Sequence, residues 1–230
     1  MAKKQYFMIV DTETTIADTV ADFAAIVVDR QGVIHAQCAV IIKAEFEKGL
    51  FFDAKASGMW SKQYAIEKVA GYEAMLNEGS RMASSVAAVN RWLEKANAKY
   101  NPTLTAYNLA FDQAKCANTL IDLTIFADRF CLWQAAVGNL CKTKAYRQFV
   151  LENHLFNNVT DKGNMTFQTN AEAVAGFLNN QMVSEPHTAL EDAVYFELPI
   201  LKALIKKKNW REKCQAYDWQ SFRVKDNFSA

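Results

Sequence analysis

The chain opens with apolar runs separated by short polar clusters. Tyr6 to Val10 is continuously apolar and stops at Asp11-Thr12-Glu13-Thr14-Thr15, the pattern of a buried strand with polar residues at its exit. Ala24 to Val28 repeats the pattern, Asp29-Arg30-Gln31-Gly32 reads as a turn, and Val33 to Ile42 is a third β-rich segment. Together they predict an antiparallel three-stranded meander. From Lys43 to Ser80 the periodicity weakens into short helical stretches rich in aromatics, and no fixed element is predicted there. Met82, Val86, Val89, Trp92 and Leu93 recur at helical spacing, which predicts an amphipathic helix from Ser80 to Tyr100 closed by Asn101-Pro102. Thr103 to Tyr107 reads as a fourth strand, Phe111 to Leu123 as a helix and Ile125 to Leu132 as a fifth strand. The remainder reads as mostly helical, near 133–139, 143–154, 170–180 and 188–207. Strands first, then β and α in alternation, imply an α/β fold. Its sheet is expected to be mixed and five-stranded, three antiparallel strands followed by two parallel ones, with helices flanking it.

Composition narrows the class. With 51% apolar residues, 8 Gly and 3 Pro in 230 residues, the chain is neither disordered nor collagen-like. The length suits one domain over 1–230, with a C-terminal extension from about 208 to 230. Lys plus Arg number 26 and Asp plus Glu 25, a net charge of +1 that argues against tracking along duplex nucleic acid. Five cysteines, at 38, 116, 131, 141 and 214, are odd in number, widely spaced and without a CxxC pair. They argue against a zinc knuckle or a disulfide framework and for a reducing compartment. The run after Lys3 and Lys4 is too short for a signal sequence, and no stretch approaches a membrane span, so a cytoplasmic protein without a membrane partner is expected.

Three short segments carry candidate chemistry. Asp11 and Glu13 are two apart at a strand exit, so the period of two puts both carboxylates on one face. Alone, such a pair reads as two solvated acids at a strand end. Asn108-Leu109-Ala110-Phe111-Asp112 follows the fourth strand, where a strand-to-helix turn lifts Asp112 to the same sheet edge if the first and fourth strands are parallel neighbours. Alone, it reads as a helix start with an acid on its dipole. His187-Thr188-Ala189-Leu190-Glu191-Asp192 follows Pro186 at a loop-to-helix boundary, with Glu191 one step round the helix as a solvated neighbour. Taken together, four carboxylates facing one point need compensating cations, and a pair of Mg²⁺ or Mn²⁺ ions is the usual solution with oxygen ligands. Such a pair suits phosphodiester hydrolysis. A histidine, with a reference pKa of about 6.5, suits removal of a proton from water.

This set resembles the DEDDh branch of the 3′-to-5′ exonuclease superfamily, which includes polymerase proofreading subunits, oligoribonuclease and RNase T. The DxE motif falls on Asp11 and Glu13, the NxxFD-like motif on Asn108 and Asp112, and the HxAxxD motif on His187, Ala189 and Asp192. The resemblance implies an RNase H-like fold, with Asp11, Glu13, Asp112 and Asp192 binding two metal ions. It also implies His187 as general base and Glu13 as a contact to the terminal 3′-hydroxyl. Two segments depart from it: Ala127 to Trp133 holds Asp128 but does not align with the family's acid after the fifth strand, and Leu140 to Gln181 is longer than a minimal member.

The expected partner is a single-stranded DNA or RNA 3′ end, gripped by aromatic stacking and cationic phosphate contacts. Candidates for stacking are Phe51, Phe52, Trp60 and Tyr64, and the expected substrate contacts are Trp60, Thr12, Thr14 and Asn108. Basic groups occur at Lys142, Lys144 and Arg147, and at Lys206-Lys207-Lys208 with Arg211 and Lys213. A polymerase subunit or a second copy of the chain stays open as a partner. Two rival functions also stay open: a catalytically silent binding module, and a phosphodiesterase for very short oligonucleotides.

Overall fold

The computed structural model describes the backbone of residues 4–48, 59–158 and 164–224, and the side chains of the same stretches apart from 59–65 and 158. Strands β1 (Tyr6–Thr14), β2 (Val20–Asp29) and β3 (Ile34–Ile42) form the expected antiparallel meander. The sheet is completed by β4 (Met82–Ser84), parallel to β3, and β5 (Thr103–Thr105), parallel to β1, in the order β4-β3-β2-β1-β5. The α/β class and the mixed five-stranded sheet are therefore present, but one strand comes from an unexpected segment. Residues 125–132 contribute only an isolated parallel bridge, Leu104 to Arg129.

Helices α1 (Lys43–Phe46) and α2 (Met59–Glu78) occupy the segment that the hydropathy pattern left open. Helix α3 is Val86–Tyr100, shorter than expected because Ser85 caps it, its side chain accepting from the Ala88 amide. Asn101, at a φ of 43°, ends α3 in the left-handed region just before Pro102. Next come α4 (Leu109–Asn118), α5 (Leu132–Ala136) running on as a π-helical turn Val137–Cys141, and α6 (Lys144–Glu152). A small hairpin, β6 (Phe156–Asn158) and β7 (Met165–Phe167), interrupts the helical half before α7 (Ala171–Asn179). Helix α8 (Ala189–Asp192), a second π-helical turn (Ala193–Glu197) and α9 (Leu198–Ile205) follow without a break. Among the described residues no helix is long and apolar enough to cross a membrane.

The pleat of β1 divides the core. Phe7 and Ile9 face the helices of the C-terminal half and pack with Leu132, Val174, Leu201 and Leu204. Met8 and Val10 face the other side, with Val89, Leu93, Leu109 and Cys116 of α3 and α4. All of these are at most 5% exposed, so β1 is buried on both faces, which explains its unbroken apolar run. The same alternation carried past Val10 puts Asp11 and Glu13 on the face of the C-terminal helices, and Thr12 on the face of α4. The expected extension from 208 packs back onto this body: Trp210 and Phe222 are buried, and Arg211–Lys213 and Trp219–Phe222 are short 3₁₀ turns. All five cysteines are free, and burial raises the Cys38 thiol to about 11 and the Cys141 thiol to about 12, so neither is an activated nucleophile.

Candidate functional site

The site forms at the C-terminal end of β1, where the polar residues begin. Parallel pairing of Ile9 with Thr105 brings the chain leaving β5 level with Asp11, and α4 starts there. Asn108 enters α4 in the left-handed region, at a φ of 74°, and is exposed. Asp112, one turn on, is 3% exposed and is held by Thr12, whose hydroxyl donates to its Oδ1 at 2.9 Å. Thr12 thus reaches across its own face of the sheet and fastens an acid of α4 beside the two acids of β1. The hydroxyl expected to touch a nucleotide is committed to Asp112, and Thr14 is buried as well.

The third segment arrives from the opposite side. His187 lies in the loop before α8 at a φ of 55°, a conformation that costs a non-glycine residue about 1 kcal/mol or more. Ligand atoms of Glu13, His187 and Asp192 all lie within 4.8 Å of one another, a group able to hold a metal ion. His187 also forms such a group with Glu172 and Glu185. Asp11 is half-buried, and the charges of Glu197, Asp112, Asp192 and Glu13 reach it. All five residues expected at the site, from three segments far apart in sequence, therefore gather at one end of β1.

Burial dominates the electrostatics. Desolvation first, then the charges of Glu197, Asp112 and Asp192, push Asp11 well above the usual carboxylate range. Asp192 rises to about 8 through burial and the nearby charges of Glu185 and Glu13, and its Oδ1 has no hydrogen-bond donor among the described residues. Burial lifts Asp112 to about 7 against the opposing bonds from Thr12. Glu13 also reaches about 7 through burial, even though the Lys68 ammonium sits 2.5 Å from its Oε2. Without a compensating cation, these acids cannot all be ionised near neutral pH.

Several residues that shape the site have no motif in the sequence. The Lys68 side chain, from α2, is 7% exposed and supplies a cation directly at Glu13. Asp22, on β2, is fully buried and accepts from the Tyr72 hydroxyl (2.6 Å) and the Ala189 amide (3.0 Å), pinning the start of α8. Arg81 lies 3.7 Å from Asp22 and bonds Glu191, so Glu191 is tied into the protein rather than simply solvated. Glu197 is 2% exposed; one oxygen accepts from the Tyr107 amide at 2.9 Å, and the other has no donor among the described residues. In a regular α-helix Glu197, five residues past Asp192, would turn about 140° away from it. The π-helical turn, with its i→i+5 bonding, swings Glu197 back toward the acids, and only this irregularity brings it in.

The remaining candidates have other partners or fall outside the described residues. Asp128 accepts from Thr103 and Arg211, and Thr103 pairs with Phe7 at the far end of β1, so this acid is remote from the cluster. Lys142 bonds Gln215 and Arg147 bonds the Ser221 carbonyl, so both hold the C-terminal segment, while Lys206, Lys207 and Lys208 are exposed. Trp60 and Tyr64 fall on α2 with side chains outside the described residues, and Phe51 and Phe52 lie outside them altogether. No protein-family model matches the chain, and no curated protein matches it.

Proposed function

We propose that the protein is a metal-dependent 3′-to-5′ exonuclease acting on single-stranded DNA or RNA, of the DEDDh type, and releasing nucleoside 5′-monophosphates. One observation carries the reading: acids from β1, α4 and α8 and a histidine from a strained loop converge at one sheet edge. The donor set fits hard divalent cations, because it is built of carboxylate oxygens and leaves a buried Asp192 oxygen unpartnered. Asp11, Glu13, Asp112 and Asp192 would hold two Mg²⁺ or Mn²⁺ ions. When bound, such ions offset the acids' mutual repulsion, acidify water and stabilise the charge of a departing oxygen.

The chain's own residues supply the rest. His187 takes a proton from the attacking water, whose oxygen forms the new bond to phosphorus. The bond from phosphorus to the 3′ oxygen breaks, and that oxygen takes up a proton from solvent, leaving a nucleoside 5′-monophosphate and a shortened strand with a free 3′-hydroxyl. Glu13 orients the terminal 3′-hydroxyl, and Thr12 keeps Asp112 in register. The test is a time course on 5′-labelled single strands of DNA and RNA with Mg²⁺, Mn²⁺ or EDTA, beside Asp11→Asn and His187→Ala. The reading expects a ladder shortening from the 3′ end that needs metal, vanishes with Asp11→Asn and slows with His187→Ala. Intact strands under every condition would refute it.

A further inference from the structure

A second feature adjoins the acid cluster and plays no part in the hydrolysis described above. An open cleft of about 490 Å³ lies between the start of α4, the β6–β7 hairpin and the C-terminal segment. Its aromatic walls are Tyr107, Trp133, Tyr217 and Trp219. Trp133 and Tyr217 stack at 5.4 Å with planes 24° apart, and Trp219 stands 44% exposed at the rim. The polar atoms of two rings are already committed: the Tyr107 hydroxyl donates to the Thr169 carbonyl (2.6 Å), and Trp133 Nε1 donates to the Thr169 hydroxyl (3.0 Å). What these two rings can offer is their apolar faces. Amide side chains, Asn108 and Asn157 among them, and two threonines complete the lining, and no described lining residue is charged.

The walls are held rigidly. A Cβ on Gly138 would come within 1.7 Å of the Lys213 carbonyl oxygen, so the C-terminal segment crosses the π-helical turn at backbone contact that only glycine permits. The Gln215 amide bonds the Gln134 carbonyl (3.0 Å), Arg147 holds the Ser221 carbonyl (3.1 Å), and Phe222 is fully buried beneath Tyr217. This anchoring fixes Tyr217 between Trp133 and Phe222, with both of its faces covered, and leaves Trp219 exposed at the rim.

Position and chemistry together select an occupant. Tyr107 and Asn108 form one wall, and the Tyr107 amide bonds Glu197 of the acid cluster, so the cleft begins where the cluster ends. A neutral, aromatic and amide-lined cleft suits a flat uncharged ring with donors and acceptors on its edge, and is unsuited to a phosphate. We infer that this cleft seats an unpaired nucleobase of the substrate strand, upstream of the bond that is cut. The inference rests on the nucleic-acid reading of the site and adds a stacking platform made by the C-terminal segment.

The test measures binding apart from hydrolysis. Fluorescence anisotropy of 5′-labelled single strands of two to ten nucleotides is recorded in Mg²⁺, in the Asp11→Asn background. Affinity is expected to climb with length and then level off. Adding Trp219→Ala should remove about tenfold of that gain, the effect of one lost base stack, with Trp219→Phe restoring most of it. Leu120→Ala, at a 78% exposed site away from the cleft, should keep the full gain. A length-dependent gain that survives Trp219→Ala, or no gain at all, overturns the inference whether or not the parent protein cuts. Trp219-dependent binding without cleavage by the parent protein supports the base seat and removes the exonuclease reading instead.

Discussion

Asp192→Asn gives the sharpest test of how the acid cluster stores free energy. Asp192 is 6% exposed, and burial with neighbouring negative charge raises its pKa from the usual 3.8 to about 8. An acid raised in the folded state binds more protons folded than unfolded, so metal-free stability falls as pH rises between about 4 and 8. The share of that loss due to Asp192 is complete above that range. At about 1.4 kcal/mol per pH unit, the ionisation penalty at pH 8 amounts to about 5 kcal/mol. Asparagine cannot ionise but must satisfy its own amide in a buried place, at roughly 1–3 kcal/mol. A net gain of about 2–4 kcal/mol is therefore expected from Asp192→Asn in EDTA at pH 8. For a chain of this length that raises the melting temperature by roughly 4–16 °C. The assay is thermal unfolding of both proteins from pH 5 to 9, with EDTA and with Mg²⁺. The parent should lose stability toward high pH in EDTA and regain it with Mg²⁺. The variant should be flatter with pH, gain less from Mg²⁺ and be inactive. A variant that is less stable than the parent in EDTA at pH 8 would refute the argument that repulsion and desolvation dominate this site.

Two further substitutions probe groups that the motifs did not reveal. Lys68→Met removes the cation that pairs with Glu13; it should cost roughly 2–3 kcal/mol in EDTA at pH 8, less than a fully trapped charge because Glu13 can take up a proton. Saturating Mg²⁺ should erase most of that loss, and urea unfolding with and without the ion would show whether it does. Asp22→Ala strips the acceptor from the Tyr72 hydroxyl and the Ala189 amide and leaves Arg81 with a buried charge facing no Asp22 partner. A loss of about 3–5 kcal/mol, with activity reduced by misplacement of α8, is expected. A urea midpoint within a few tenths of a molar unit of the parent's would count against the pin.

The local pattern determined a good deal. The unbroken apolar runs of β1 and β2 betray strands buried on both faces, and the DxE spacing of two places Asp11 and Glu13 together because a strand's side chains alternate. The NxxFD and HxAxxD segments marked Asp112, His187 and Asp192, since polar residues at strand-to-helix and loop-to-helix boundaries are visible in one dimension. What the sequence left open was decided by packing. Residues 125–132 look like a strand but make a single bridge, while Met82–Ser84, too short to show a period, pairs with β3. Lys68, Asp22 and Arg81 carry no local signal, because their roles arise only when α2, β2 and the residue before β4 meet β1 and α8. Glu197 is hidden for a different reason: α-helical periodicity points it away, and only the π-helical turn returns it to the cluster. The aromatic cleft joins residues from Tyr107 to Trp219, distant along the chain, and forms because glycine at 138 lets two backbones touch. Alternation and apolar runs follow from the chain's local geometry, whereas long-range charge pairing and close backbone approach depend on which surfaces the folded core brings together.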